Sequence, residues 1–97
     1  MSIDLIARIP TTPDNFERVE RALEHYAEVV RRESGNERFE IYASDDGVGG
    51  LIVIERYTDR NAFAAHLAAP ENALLNESLR RLTGGDGSHL EMLHRLV

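Results

Sequence analysis

A carboxylate, a phenol and an imidazole fall close together in the stretch Leu51 to Pro70, LIVIERYTDRNAFAAHLAAP. Glu55 and Tyr57 end an apolar strand and share parity with Leu51 and Val53, so all four point the same way. His66 falls on the short helix that follows. Phe63 and Ala69 flank it at helical spacing, and Ala62, Ala65 and Ala69 leave room beside the ring. An imidazole with an ordinary pKa of about 6.5 takes or gives a proton at neutral pH, which makes His66 the candidate acid–base group. Its structural alternative is a partly buried histidine bonded to Glu55 or to a backbone carbonyl. Tyr57 can donate a hydrogen bond to a substrate oxygen, or serve only as a flat wall. Glu55 must pair or protonate at the end of an apolar strand, because an isolated buried charge is costly. An ion pair with an arginine such as Arg8 or Arg38 is the expected solution. Phe39, Phe63 and Tyr26 are candidates to line an aromatic-sized pocket, and otherwise belong to the core. Asn36 follows Gly35 and either caps the preceding helix in a left-handed backbone or faces a ligand; capping is the favoured reading.

Other chemistries find no support. The chain has no cysteine, so there is no disulfide framework, thiolate nucleophile or Cys-ligated zinc. His25 sits among charges, and His89 and His94 have opposite parity on a last strand, so they cannot share a metal. The glycine-rich runs Gly47-Val48-Gly49-Gly50 and Gly84-Gly85-Asp86-Gly87 read as turns and not as phosphate loops. No metal or cofactor is therefore expected. The formal net charge is −6 and the basic residues are scattered among acids, which argues against nucleic acid and against an anionic membrane surface. No apolar run approaches membrane-spanning length and MSIDLIARIP does not read as a signal peptide, so a cytoplasmic protein is expected.

The elements that must hold these side chains follow from periodicity. Residues 3–9 alternate, with Ile3, Leu5, Ala7 and Ile9 on one face. Thr12-Pro13 reads as a helix start, and Phe16, Val19, Leu23, Tyr26, Ala27 and Val30 form one apolar stripe. Gly35 reads as its left-handed cap. Strands are expected over 37–43 and 51–57, joined by the turn-rich residues 44–50. Asp59 caps a helix over 60–69, Pro70 interrupts, a helix over 71–82 ends at Gly84-Gly85, and a last strand runs over 88–97. The 97 residues suit a single domain over 1–97. The order βαββααβ predicts an α+β, ferredoxin-like antiparallel sheet with its helices on one face. Four consecutive aliphatics open the strand at Leu51, so both its faces should be covered. One chain has no spare layer, and a sheet-to-sheet homodimer is the expected cover.

Two patterns carry a family resemblance. One is Glu55-x-Tyr57, the Asp59 cap and Ala62-Phe63-x-x-His66-Leu67. The other is Glu33-Ser34-Gly35-Asn36-Glu37-Arg38-Phe39, similar to Glu-x-Gly-Cys/Asn-x-x-aromatic. Together they resemble the antibiotic biosynthesis monooxygenase family of dimeric α+β barrels. The resemblance implies an oxygenase that needs neither metal nor flavin, with His66 and Tyr57 catalytic and Phe39, Phe63, Tyr26, Asn36 and Glu55 binding a small aromatic, quinol or polyphenol-like substrate. Haem-degrading relatives need a histidine and an asparagine at places that fall on Asn76 and Ala7, which discounts haem. Two alternatives stand: an isomerase of a phosphorylated dione of the autoinducer-2 breakdown type, which would want a basic group such as Arg38, and a non-catalytic dimeric small-molecule-binding module.

Overall fold

The computed structural model describes residues 1–45 and 49–97. The element order is β1 (Ile3–Ile9), α1 (Phe16–Arg31), β2 (Asn36–Ala43), β3 (Leu51–Tyr57), α2 (Arg60–Ala68), α3 (Pro70–Thr83) and β4 (His89–Leu93). The four strands form one sheet in the order β2-β3-β1-β4, every neighbouring pair antiparallel. This is the ferredoxin-like α+β arrangement expected from the sequence. Asp46, Gly47 and Val48, part of the expected turn between β2 and β3, lie outside the described residues.

The core forms where the two periodicities meet. Leu5, Ala7 and Ile9 of β1 and Leu51 and Val53 of β3 share the inner sheet face, and Val19, Leu23, Ala27 and Val30 of α1 pack onto it. Leu79 of α3 closes one side and is fully buried.

Boundaries differ from the sequence reading in three places, each with a physical cause. Residues 12–15 form a tight turn, in which the Thr12 carbonyl accepts from Asn15 and Phe16, so α1 starts at Phe16 and Thr12 is not its cap. The side chain of Asn15 staples this turn: its Oδ1 accepts from Thr12 N at 2.8 Å and its Nδ2 donates to the Leu82 carbonyl at 3.2 Å. Gly35 is not left-handed; among the described residues the positive-φ glycines are Gly50, Gly84 and Gly87. α1 ends at Arg31, and Gly35 serves close packing instead. β4 stops at Leu93, because its pairing with β1 runs only from His89 to Leu93. His94 therefore lies beyond the strand. The Asp59 cap is as expected, its Oδ1 accepting from Ala62 N at 2.8 Å, and Gly84 ends α3 with φ +70°.

The outer sheet face is less apolar than expected. Ile6, Ile52, Ile54 and Tyr42 alternate there with the ion pairs Arg56–Asp4 (3.1 Å), Arg38–Glu40 (2.6 Å) and Arg8–Glu91 (3.6 Å). Among the described residues, no helix is long and apolar enough to cross a membrane.

Candidate functional site

His66 reaches the inner face of the sheet because α2 crosses the end of β3 with that residue turned inward. It is the one buried residue of α2, and only 4% of it is exposed. Its ring sits among aromatics from three elements: Tyr57 of β3 at 4.8 Å between centroids, Tyr26 of α1 at 6.0 Å and Phe63 of α2 at 6.3 Å. Two carboxylates flank it. Nδ1 is 2.9 Å from Glu33 Oε1, and Nε2 is 3.8 Å from Glu55 Oε1. The first distance is a hydrogen bond; the second is too long for one and acts only through charge. The Tyr26 hydroxyl stands 3.5 Å from Nε2 and donates to Asn72 Oδ1 at 3.2 Å.

Glu55 is 5% exposed and has no arginine partner. The expected pairing fails because Arg8 and Arg38 point to the outer sheet face, where they hold Glu91 and Glu40. Glu55 points to the inner face and accepts from the Tyr57 hydroxyl at 2.7 Å. Burial pushes its carboxyl pKa up, against the hydrogen bond from Tyr57 and the nearby imidazole, which pull it down. Burial is also the largest influence on both tyrosines, raising their pKa values; Glu55 adds to it at Tyr57 and Glu33 at Tyr26. The phenols thus stay protonated and act as donors.

The rise at Glu55 has a consequence for stability. A carboxyl whose folded pKa lies above its unfolded value holds its proton longer in the native state. Its stabilising contribution is fully present below the unfolded pKa and is lost as pH rises through the folded one. Glu55→Gln removes this titration while keeping an oxygen to accept from Tyr57. The variant is expected to gain melting temperature over the parent at about pH 8 and to lose that advantage by about pH 4. Parallel melting-temperature profiles for the two proteins would sink the prediction.

A cavity of about 60 Å³ opens beside His66. That holds a few water molecules. It is lined by Tyr26, Phe39, Glu55, Phe63 and His66 together with aliphatics of β1, α1 and α3. Leu67 and Leu90 also line it and are 42% and 48% exposed, which puts its opening at the surface between α2 and β4. Five of the seven residues singled out from the sequence therefore meet at one cavity. Tyr57 is adjacent but does not line it, its hydroxyl being turned to Glu55. Asn36 lies apart: it starts β2, its Nδ2 donates to the Arg38 carbonyl, and it borders a separate depression with Arg31 and Glu40. Ala7 and Asn76 do line the cavity, but neither offers an imidazole. No cluster of three or more His, Cys, Asp or Glu suited to a metal occurs among the described residues.

The sequence reading gave Glu33 no role at the site. A signal was available: Glu33 follows the C-terminal end of α1, where the helix dipole disfavours an acid. A carboxylate placed against that field calls for a partner elsewhere.

The family model for antibiotic biosynthesis monooxygenases matches residues 2–73. No curated protein matches the chain significantly. Among solved structures, the protein Rv0793 from Mycobacterium tuberculosis is 26% identical with a TM-score of 0.89, the match covering 100% of this chain and 97% of that one. A candidate antibiotic biosynthesis monooxygenase from Nitrosomonas europaea is 22% identical with a TM-score of 0.86, covering 98% and 90%, a likeness of fold.

Proposed function

The chain belongs to the antibiotic biosynthesis monooxygenase family, and from that premise we propose that it is a cofactor-independent monooxygenase of small quinols or polyphenols. The observation that carries the reading is a buried imidazole beside an aromatic-walled cavity, flanked by a carboxyl and a phenol that stay protonated more readily than usual. His66 is the base. It takes a hydroxyl proton from the quinol, and the resulting anion is reducing enough to pass an electron to O₂. The radical pair joins as a carbon-bound peroxide anion, which takes the proton back from His66 to become a hydroperoxide. Loss of water, made from its terminal OH and the ring hydrogen on the same carbon, leaves a ring carbonyl. One oxygen atom enters the substrate and the other leaves as water; all the electrons come from the quinol, which ends as a hydroxyquinone. The Tyr26 hydroxyl lines the cavity beside Nε2 and is the donor that would turn from Asn72 to a substrate oxygen. Phe39 and Phe63 are walls that keep water out and strengthen these polar contacts. Tyr57 holds Glu55 in place.

A phosphorylated dione fits less well. The cavity presents Glu55 and no lysine or arginine, and Arg38, the cation such a phosphate would want, is held by Glu40. A neutral substrate needs no such cation.

The test is oxygen consumption by the purified protein over a panel of substituted hydroquinones, with hydroxyquinone formation followed by mass spectrometry. Uptake matched by product supports the reading. Tight binding of the same quinols with no uptake above the protein-free rate overturns it in favour of a binding module.

We also propose that the working unit is a cytoplasmic homodimer of this single domain, 1–97, packed through the outer sheet face. The isoleucines there need cover, and each charge already has a partner within its own chain, which lowers the cost of burial. Sedimentation equilibrium at micromolar concentration is expected to give twice the chain mass. A monomer under those conditions rejects the arrangement.

A further inference from the structure

His66 has two nitrogens in different surroundings, and only one tautomer suits a base. Nε2 lies beside the Tyr26 hydroxyl and Glu55, both of which line the cavity, whereas Nδ1 is directed to Glu33. For a neutral ring to accept a substrate proton on the cavity side, its own hydrogen must sit on Nδ1. Histidine side chains in water favour the opposite tautomer, with the hydrogen on Nε2. Something must reverse that preference.

We propose that Glu33 is a positioning residue that fixes His66 with its hydrogen on Nδ1, and that residue 35 is glycine so that Glu33 can reach. A carboxylate accepts and cannot donate, so the 2.9 Å contact requires a hydrogen on Nδ1. Nε2 is left with its lone pair toward the cavity. Two other groups face the same ring. Glu55 Oε1 is beyond hydrogen-bond range at 3.8 Å and already accepts from Tyr57. The Tyr26 oxygen, whose hydrogen goes to Asn72, could accept from Nε2, but at 3.5 Å that neutral contact is at the limit of hydrogen-bond range and is outweighed by the 2.9 Å bond to a carboxylate.

The second half rests on packing. Glu33 is held in a turn: its N–H donates to the Val30 carbonyl at 2.9 Å, and its own carbonyl accepts from Asn36 N at 3.1 Å. The turn is clamped to the start of α2 by Thr58 N, which donates to the Gly35 carbonyl at 2.8 Å. A Cβ at residue 35 would collide with the Cβ of Ala62. Ala62 and His66 are one helical turn apart on the same side of α2. Gly35 against Ala62 and Glu33 against His66 are thus two contacts of one docked edge. Gly35 has no positive φ, so close approach and not backbone conformation is what requires glycine here.

The role of His66 as base is taken from the proposed function, but the tautomer can be read without any substrate. The experiment is nitrogen NMR of the protein labelled at histidine, at alkaline pH where the ring is neutral. It compares the parent with Glu33→Gln, Glu33→Ala and Gly35→Ala, alongside thermal unfolding. In the parent, the His66 signals should be pyrrole-type at Nδ1 and pyridine-type at Nε2. Glu33→Gln keeps the size of the side chain but can turn its NH2 to Nδ1 as a donor, so it should lose that pattern, and Glu33→Ala should reverse it. Gly35→Ala should shift the population toward the reversed form even though Glu33 is present. Oxygen uptake with a quinol should fall at least about tenfold in both Glu33→Ala and Glu33→Gln. A hydrogen on Nε2 in the parent overturns the proposal, as does an unchanged tautomer in folded Glu33→Ala. If the tautomers behave as expected and no quinol consumes oxygen, the monooxygenase reading fails and the positioning role of Glu33 stands.

Discussion

Replacing His66 with asparagine is expected to lower quinol-dependent oxygen uptake about 10²–10⁴-fold while leaving the fold in place. Asparagine is the informative choice because its amide nitrogen occupies nearly the position of Nδ1. The bond to Glu33 can survive, and only the cavity-side nitrogen is lost. Alanine is a poorer probe. His66 is buried and packs against three aromatic rings, so truncation opens a hole and leaves Glu33 and Glu55 facing each other without an imidazole between them. Stability would fall for reasons unconnected with proton transfer. Kinetics and thermal unfolding measured together decide the matter. A folded His66→Asn with undiminished turnover would end the assignment of His66 as base.

Tyr57 is expected to dominate the stability of the site. It is fully buried, lies tilted against His66 at 4.8 Å, meets Phe63 at 5.3 Å and supplies the one hydrogen bond the Glu55 carboxyl makes within the described residues. Tyr57→Ala is expected to cost about 3–5 kcal/mol, the range for deleting a buried aromatic. Tyr57→Phe keeps the ring and removes only the donor to Glu55, so its cost should be about 1–3 kcal/mol. The gap between the two variants measures packing, and the cost of the phenylalanine variant measures the polar contact. Chemical denaturation of both proteins gives these numbers directly. If phenylalanine were tolerated without loss, the hydrogen bond to Glu55 would contribute nothing measurable to stability and Tyr57 would act through packing alone.

The elements that build the site were legible because each is specified locally. The alternation of β1 and β3, the stripe of α1, the Asp59 cap and the Gly84 stop are short-range patterns, and all appear as the sequence indicates. The order of those elements left few topologies, since the short connection from β2 to β3 pairs those two strands and the crossover through α1 leaves β1 the other edge of β3. Local pattern also placed His66 on an inward-facing side of α2. It was less reliable where a tertiary contact competes. Thr12-Pro13 has the chemistry of a helix start, yet Asn15 bonds across to Leu82 and moves that start to Phe16. Gly35 has the position of a helix cap, yet its use is to let α2 come close.

What the sequence by itself determined, then, is the set of faces: which residues point toward the helices and which point away. It put Glu55, Tyr57 and His66 on the inner side, and that side holds the cavity. Which of those groups bond to one another was decided only by the tertiary structure. Glu33 and His66 are separated by 33 positions, and Tyr26 and His66 by 40. Their distances depend on how a turn, a helix and a strand end dock together, and no local propensity encodes that. The partner of Glu55 shows the same division. Charge alone offered Arg8 and Arg38, but a residue on one face of a sheet cannot reach arginines on the other. The nearest donor on its own face was the phenol two residues along the strand.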